Sequence, residues 1–120
     1  MNRNDDPVNQ KVVLVVDDES LVRMIAAEMF SDLGCEVLEA ESGAEALDIL
    51  EQRPDVSLLF TDCRMPGMTG PELAEVAAER WPGLRIVLVS GYVASKPSRW
   101  PLVGKPFDSR AVSRLMAVTP

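Results

Sequence analysis

Three stretches of the chain are almost continuously apolar: Val12–Val16, Val56–Phe60 and Ile86–Val89. Runs of strand length without alternation are what a β-strand covered on both faces displays. They predict strands over Lys11–Val16, Val56–Thr61 and Leu84–Ser90. Between them the period lengthens. Leu21, Ile25, Met29 and Leu33 recur every four residues, which predicts a helix over Ser20–Leu33 with Gly34 as its C-terminal cap. Cys35–Ala40 reads as a short strand. Ser42 is placed to cap a helix from Gly43 to Gln52, with Glu45 at the reciprocal capping position. Arg64–Pro71 is dense in turn formers. A helix over Pro71–Arg80 turns Leu73, Val76 and Ala77 inward and Glu72, Glu75 and Glu79 outward. Phe107-Asp108-Ser109 opens a last helix, with Val112, Leu115 and Met116 on its inner face. Strand and helix alternate, the pattern of a parallel α/β sheet. Only Gly91–Gly104 breaks the alternation. It holds Pro97 and Pro101, shows no helical period, and leaves room for a loop and a short strand at Leu102–Val103.

At 120 residues the chain fits one domain with one core. Residues 1–10 read as a flexible, solvated arm and residues 11–118 as the domain. No apolar run reaches membrane-spanning length, and Met1–Pro7 lacks a signal-peptide core, so a cytoplasmic location without membrane contact is expected. The net charge of −7 disfavours direct nucleic-acid binding. The chain has no histidine, which excludes Ser-His-Asp and Cys-His chemistry. Cys35 and Cys63 lack metal-like spacing and read as reduced thiols.

What the strands end on is more informative. The first is followed by Asp17-Asp18, the second by Asp62, the third by Ser90, and Lys105-Pro106 follows the last short strand. In an open parallel sheet the carboxyl ends of the strands share one edge, where ligands bind. Taken singly, each residue has a plain alternative. Asp17 and Asp18 could cap a helix, Asp62 could form a turn, and Ser90 and Lys105 could be ordinary surface residues. Together, three carboxylates on one edge repel unless a cation or shared protons neutralise them. Two carboxylates and a backbone carbonyl suit Mg²⁺, which keeps several waters. A lysine within reach would bind phosphate oxygens, and an X-Pro bond in the cis form would fix its direction.

From Lys11 to Met116 these residues resemble the receiver domain of bacterial two-component response regulators. Asp17-Asp18, Asp62 with Met65-Pro66-Gly67 and Gly70, Ser90, and Lys105-Pro106-Phe107 fall in that family's order. The resemblance implies a doubly wound, flavodoxin-like α/β fold, with five parallel strands in the order 2-1-3-4-5 and helices on both faces. It implies that Asp62 is the phosphoacceptor, attacking the phosphorus of a phosphohistidine donor. Asp18 would ligate Mg²⁺ directly, Asp17 mainly through water, and the Arg64 backbone carbonyl would complete the protein ligands, with Mn²⁺ able to substitute. Ser90 and Lys105 would bind phosphoryl oxygens. The implied partners are a histidine kinase or histidine phosphotransfer protein and a downstream protein not identified by sequence. The chain would then be a signalling module that assists its own phosphorylation and dephosphorylation rather than an enzyme.

There are departures from the family pattern. Leu102 stands where an aromatic switch residue is usual. The fourth helix of the usual order, between Ser90 and Lys105, is expected to be shortened or absent, as in a subgroup that Ser90-Gly91-Tyr92 resembles. Arg64 and Tyr92 occupy positions that tune dephosphorylation. With Leu102 unable to act as the switch, the expected two-state element is the Gly91–Gly104 loop, and a mainly monomeric chain is expected. Two alternatives are weighed. One is a small Mg²⁺-dependent phosphatase of the haloacid dehalogenase type, which Val15-Val16-Asp17-Asp18-Glu19 faintly resembles. That family places a second aspartate where Glu19 stands. The other is a pseudo-receiver used only for protein binding, against which the full set of acidic and oxyanion-binding residues argues.

Overall fold

The structure is a computed structural model and describes residues 10–91 and 98–117. Its elements are β1 (Val12–Val16), α1 (Ser20–Asp32), β2 (Glu36–Ala40), α2 (Gly43–Gln52), β3 (Leu58–Asp62), α3 (Gly70–Arg80), β4 (Arg85–Ser90), β5 (Leu102–Gly104) and α4 (Ser109–Ala117). The strands form one sheet in the order β2-β1-β3-β4-β5, and every pairing is parallel. The expected fold and order therefore hold.

Strand pleating explains why the central strands are apolar throughout. Successive side chains point to opposite faces, and here both faces are covered. Leu14, Val16, Leu59, Ile86 and Leu88 pack with Ala46, Leu50, Leu73 and Ala77 of α2 and α3. Val13, Val15, Leu58, Phe60, Val87 and Val89 pack with Ala26 and Phe30 of α1 and Val112 of α4. Phe60 is the hinge of the second layer. Its ring lies edge-on to Phe30 at 5.0 Å and to Phe107 at 5.5 Å, an arrangement that adds to plain burial.

Helix ends follow local chemistry. α1 closes with Gly34 at φ +90°. The Gly34 amide donates to Ser31 O and the Cys35 amide to Phe30 O, a Schellman close that a left-handed glycine permits. Ser42 caps α2 by accepting from the Glu45 amide at 3.1 Å. The reciprocal bond differs from expectation: Glu45 Oε1 accepts from the Glu41 amide, one residue before the cap. α3 starts a residue earlier than its pattern predicts. Thr69 accepts from the Glu72 amide, and Glu72 accepts from the Thr69 amide, so a complete capping box sets that start.

The four-residue repeat in α1 is not its buried face. Leu21 is 68% exposed, Met24 58% and Ile25 45%, while Ala26 and Phe30 are buried. The sheet meets this helix along the Ala26–Phe30 line, one residue away from the repeat. Val76 is likewise only half-buried, and Ala74 takes its inward place in α3.

Among the described residues no helix lies between β4 and β5. Residues 92–97 fall outside the described part. Tyr92 is among them, they make up six of the fourteen residues of the expected loop switch, and most of the expected N-terminal arm also lies outside. Trp100 packs against the core layer of α2 and α3. The Arg99 guanidinium lies over the Trp100 ring at 4.9 Å and pairs with Glu75. Both cysteines are free thiols.

Candidate functional site

The carboxyl ends of β1, β3, β4 and β5 converge on one open cleft of about 560 Å³. It is lined by Asp18, Glu19, Asp62, Arg64, Ser90, Gly91 and Lys105. The parallel register produces this convergence: Asp62 pairs with Val89 and Ser90 with Gly104, so the residues that end each strand arrive side by side. The Cys63 amide donates to Val89 O, and the Lys105 amide donates to Ser90 O at 2.8 Å. These bonds carry the ladder past the strand ends and hold Lys105 against β4.

Carboxylate oxygens of Asp17, Asp18 and Asp62 all lie within 4.8 Å of one another. Asp17 and Asp62 are buried, and Asp18 is exposed at the mouth. The set is all-oxygen, compact and open on one side, which fits a small hard cation that keeps part of its water shell. Helix capping does not account for the pair. Glu19 is the N-cap of α1 and makes no side-chain cap bond. Asp17 Oδ1 accepts the Glu19 amide, at 2.9 Å, and Asp17 Oδ2 faces Lys105.

Lys105 Nζ lies 3.0 Å from Asp62 Oδ1 and 3.1 Å from Asp17 Oδ2. Burial alone would lower its ammonium, but the bonds to Asp62 and Asp17 outweigh this, and the net shift is upward. Burial pushes the Asp62 carboxyl above the ordinary range; Asp17 and Asp18 add to the rise, and Lys105 opposes it. Burial, and then the neighbouring Asp62 charge, raise the Cys63 thiol, which keeps it protonated and un-nucleophilic. The Lys105-Pro106 bond is cis, and Phe107 follows it into the aromatic cluster of Phe30 and Phe60. The lysine is thus anchored by β5 on one side and by a core ring on the other.

Of the residues singled out by sequence, Asp17, Asp18, Asp62, Ser90, Lys105 and Arg64 meet in or at this cleft. Leu102 does not line it. It pairs with Leu88 in the β4–β5 ladder and packs against the core. Arg23 escaped the sequence reading. Its Nη1 donates to the Asp17 carbonyl at 2.8 Å, and its Nε donates to Glu39 at 3.1 Å. It thereby ties the acidic pair to α1 and β2. No motif marks an arginine three residues into a helix, so nothing local could have revealed it.

Residues 13–99 match the family described as response regulator receiver domain. The chain is 40% identical over 81 residues to the sensor kinase CckA of Brucella abortus, an alignment covering 67% of the chain and 9% of the kinase. It is 42% identical over 81 residues to a chemotaxis protein CheY homolog of Campylobacter jejuni, covering 65% of the chain and 62% of that protein. The chain thus spans less than two thirds of either relative. The crystal structure of the receiver domain from the hybrid histidine kinase CckA superposes with a TM-score of 0.78 at 34% identity, covering 88% of this chain and 95% of that one. Nothing supports the phosphatase alternative. The strand order, the acidic cluster with its lysine at the carboxyl edge, and these matches agree: the chain belongs to the response regulator receiver domain family, the phosphoacceptor signalling domains of two-component systems.

Proposed function

We propose that Asp62 accepts a phosphoryl group from the phosphohistidine of a histidine kinase or phosphotransfer protein, and that the phosphorylated domain regulates a downstream protein. The observation that carries this reading is the contact of Lys105 with Asp62 inside a three-carboxylate cluster. In the proposed step an Asp62 oxygen attacks phosphorus, the bond from phosphorus to the imidazole nitrogen breaks, and the nitrogen keeps the electron pair. Asp18, Asp62 and the Arg64 carbonyl would hold Mg²⁺ or Mn²⁺ directly and Asp17 mainly through water. The ion supplies neutralisation of the phosphoryl charge when bound. Lys105 moves from its two carboxylates to a phosphoryl oxygen, and the Ser90 hydroxyl binds a second one. Arg64, exposed at the mouth, and Tyr92 are the side chains assigned to tuning the lifetime of the acyl phosphate.

The donor protein must present its imidazole to the cleft mouth. α1 starts directly after the cleft residue Glu19, and its Leu21, Met24 and Ile25 form an exposed apolar face there, which favours the donor as their occupant. Among the described residues no helix is long and apolar enough to cross a membrane; a cytoplasmic, mainly monomeric module is part of this proposal. The test is incubation with acetyl phosphate and Mg²⁺, which should add one acid-labile phosphate, with none on Asp62→Asn. Labelling of Asp62→Asn at the wild-type level would refute the acceptor assignment.

A further inference from the structure

The backbone carbonyl of Asp62 is contacted by two residues that lie outside the cleft. Thr61 is fully buried in β3, yet it carries a hydroxyl among Leu58, Leu59 and Phe60. That hydroxyl donates to Asp62 O at 3.1 Å. A buried hydroxyl is costly unless bonded, and valine would fill the same space without that cost. The second residue is Gly70, the first of α3. Its amide donates to Cys63 O at 2.9 Å. A Cβ placed on Gly70 would fall 2.2 Å from Asp62 O and 2.9 Å from Cys63 Cα. Gly70 is not among the glycines of positive φ, which are Gly34 and Gly67. Its need for glycine is therefore one of space: the start of α3 rests directly on the Asp62–Cys63 peptide.

We propose that Thr61 and Gly70 are positioning residues for phosphoryl acceptance: a hydroxyl and a missing side chain together fix the Asp62–Cys63 peptide and so aim the Asp62 carboxylate. The inference rests on Asp62 being the acceptor. The carboxylate hangs from the same Cα as the held carbonyl, so shifting one redirects the other. A side chain at Gly70 would have to move that carbonyl by roughly an ångström, and in-line reactions lose rate steeply with such shifts. The peptide also leads into Arg64, so the same clamp sets where the loop of the proposed metal-binding carbonyl begins.

Three variants test this. Thr61→Val keeps the shape and removes the donor, Thr61→Ser returns the donor, and Gly70→Ala adds the clash. Phosphorylation by acetyl phosphate with Mg²⁺ is followed against donor concentration, and the folded fraction is measured by circular dichroism. In Thr61→Val the rate constant at saturating donor should fall about tenfold, with the half-saturating concentration unchanged. Thr61→Ser should recover most of the rate, and folded Gly70→Ala should be slower than Thr61→Val. Should Gly70→Ala not fold, the Thr61 pair decides. A Thr61→Val protein that reacts at the wild-type rate per folded molecule overturns the proposal, whatever its melting temperature. So does a Thr61→Ser protein as slow as Thr61→Val, because shape and not the hydroxyl would then matter. Folded Gly70→Ala with the wild-type rate removes Gly70 from the clamp. A wild-type chain that takes up no phosphate would overturn the acceptor reading itself, which separates the two failures.

Discussion

Lys105 Nζ bridges Asp62 Oδ1 and Asp17 Oδ2 at 3.0 and 3.1 Å, across 43 and 88 residues of sequence. One ammonium therefore neutralises part of a buried acidic cluster, and it must leave one or both carboxylates to meet a phosphoryl group. Lys105→Ala should keep the fold while uncoupling phosphate binding from conformational change. Beryllofluoride, standing in for the phosphoryl group, should produce amide chemical-shift changes across β4 and β5 in the wild type and much smaller ones in Lys105→Ala. Equal responses would make Lys105 a bystander.

Asp62→Asn should be at least as stable as the wild type at neutral pH without metal, because it removes one of three crowded like charges. The sign follows from the raised Asp62 carboxyl. The folded state holds this proton more tightly than the unfolded state, so stability falls as pH rises from the ordinary carboxylate value of about 4 through the folded one. The advantage of Asp62→Asn should accordingly shrink on acidification toward pH about 4. Urea titrations of both proteins across this range, in chelator, measure it. An advantage that grows toward acid would contradict the shift.

Mg²⁺ or Mn²⁺ should raise the melting temperature, since only the folded chain assembles the three carboxylates. Binding should be weak, because the ion remains largely hydrated. Asp18→Ala should abolish the rise. If the rise survives in Asp18→Ala, the ion sits elsewhere.

Met24→Glu places a charge on the exposed apolar face of α1, where Met24 is 58% exposed. Its effect on stability should be within about 0.5 kcal/mol, as for other surface changes. Phosphorylation by acetyl phosphate should be unchanged, while transfer from a phosphorylated donor protein should slow about tenfold, the equivalent of 1.4 kcal/mol at that interface. Equal slowing with both donors would place the defect in the acceptor site and not in docking.

Phe107→Ala should cost about 2 kcal/mol, below the usual range for a buried phenylalanine because Phe107 is only half-buried. It also frees the segment after Lys105 from Phe60. Denaturant unfolding gives the first quantity. The second should appear as broadened amide signals at residues 104–108, and sharp unchanged signals there would mean that β5 alone anchors the lysine.

Much of this protein is written in local pattern. Unbroken apolar runs marked the central strands because both sheet faces are covered, and Ser42 and Gly34 marked helix limits through bonds spanning a few residues. Asp17, Asp18, Asp62, Ser90 and Lys105 were legible as a set because parallel strands end on a common edge. What failed locally depended on which neighbour arrived. The Leu21-Ile25 repeat looked like a core face, yet the sheet meets α1 at Ala26 and Phe30. Arg23 donates to both the Asp17 carbonyl and Glu39 of β2, and the second partner arrives only with the packing of β2. Gly70 looked like one more turn residue, and only the packing of α3 onto β3 gave it a reason to lack a side chain. Sequence fixes the period of each element and the chemistry at its ends. The rotation of each helix on the sheet, and the atoms that touch behind the acceptor, are set by summed long-range packing, in which no single residue carries the signal.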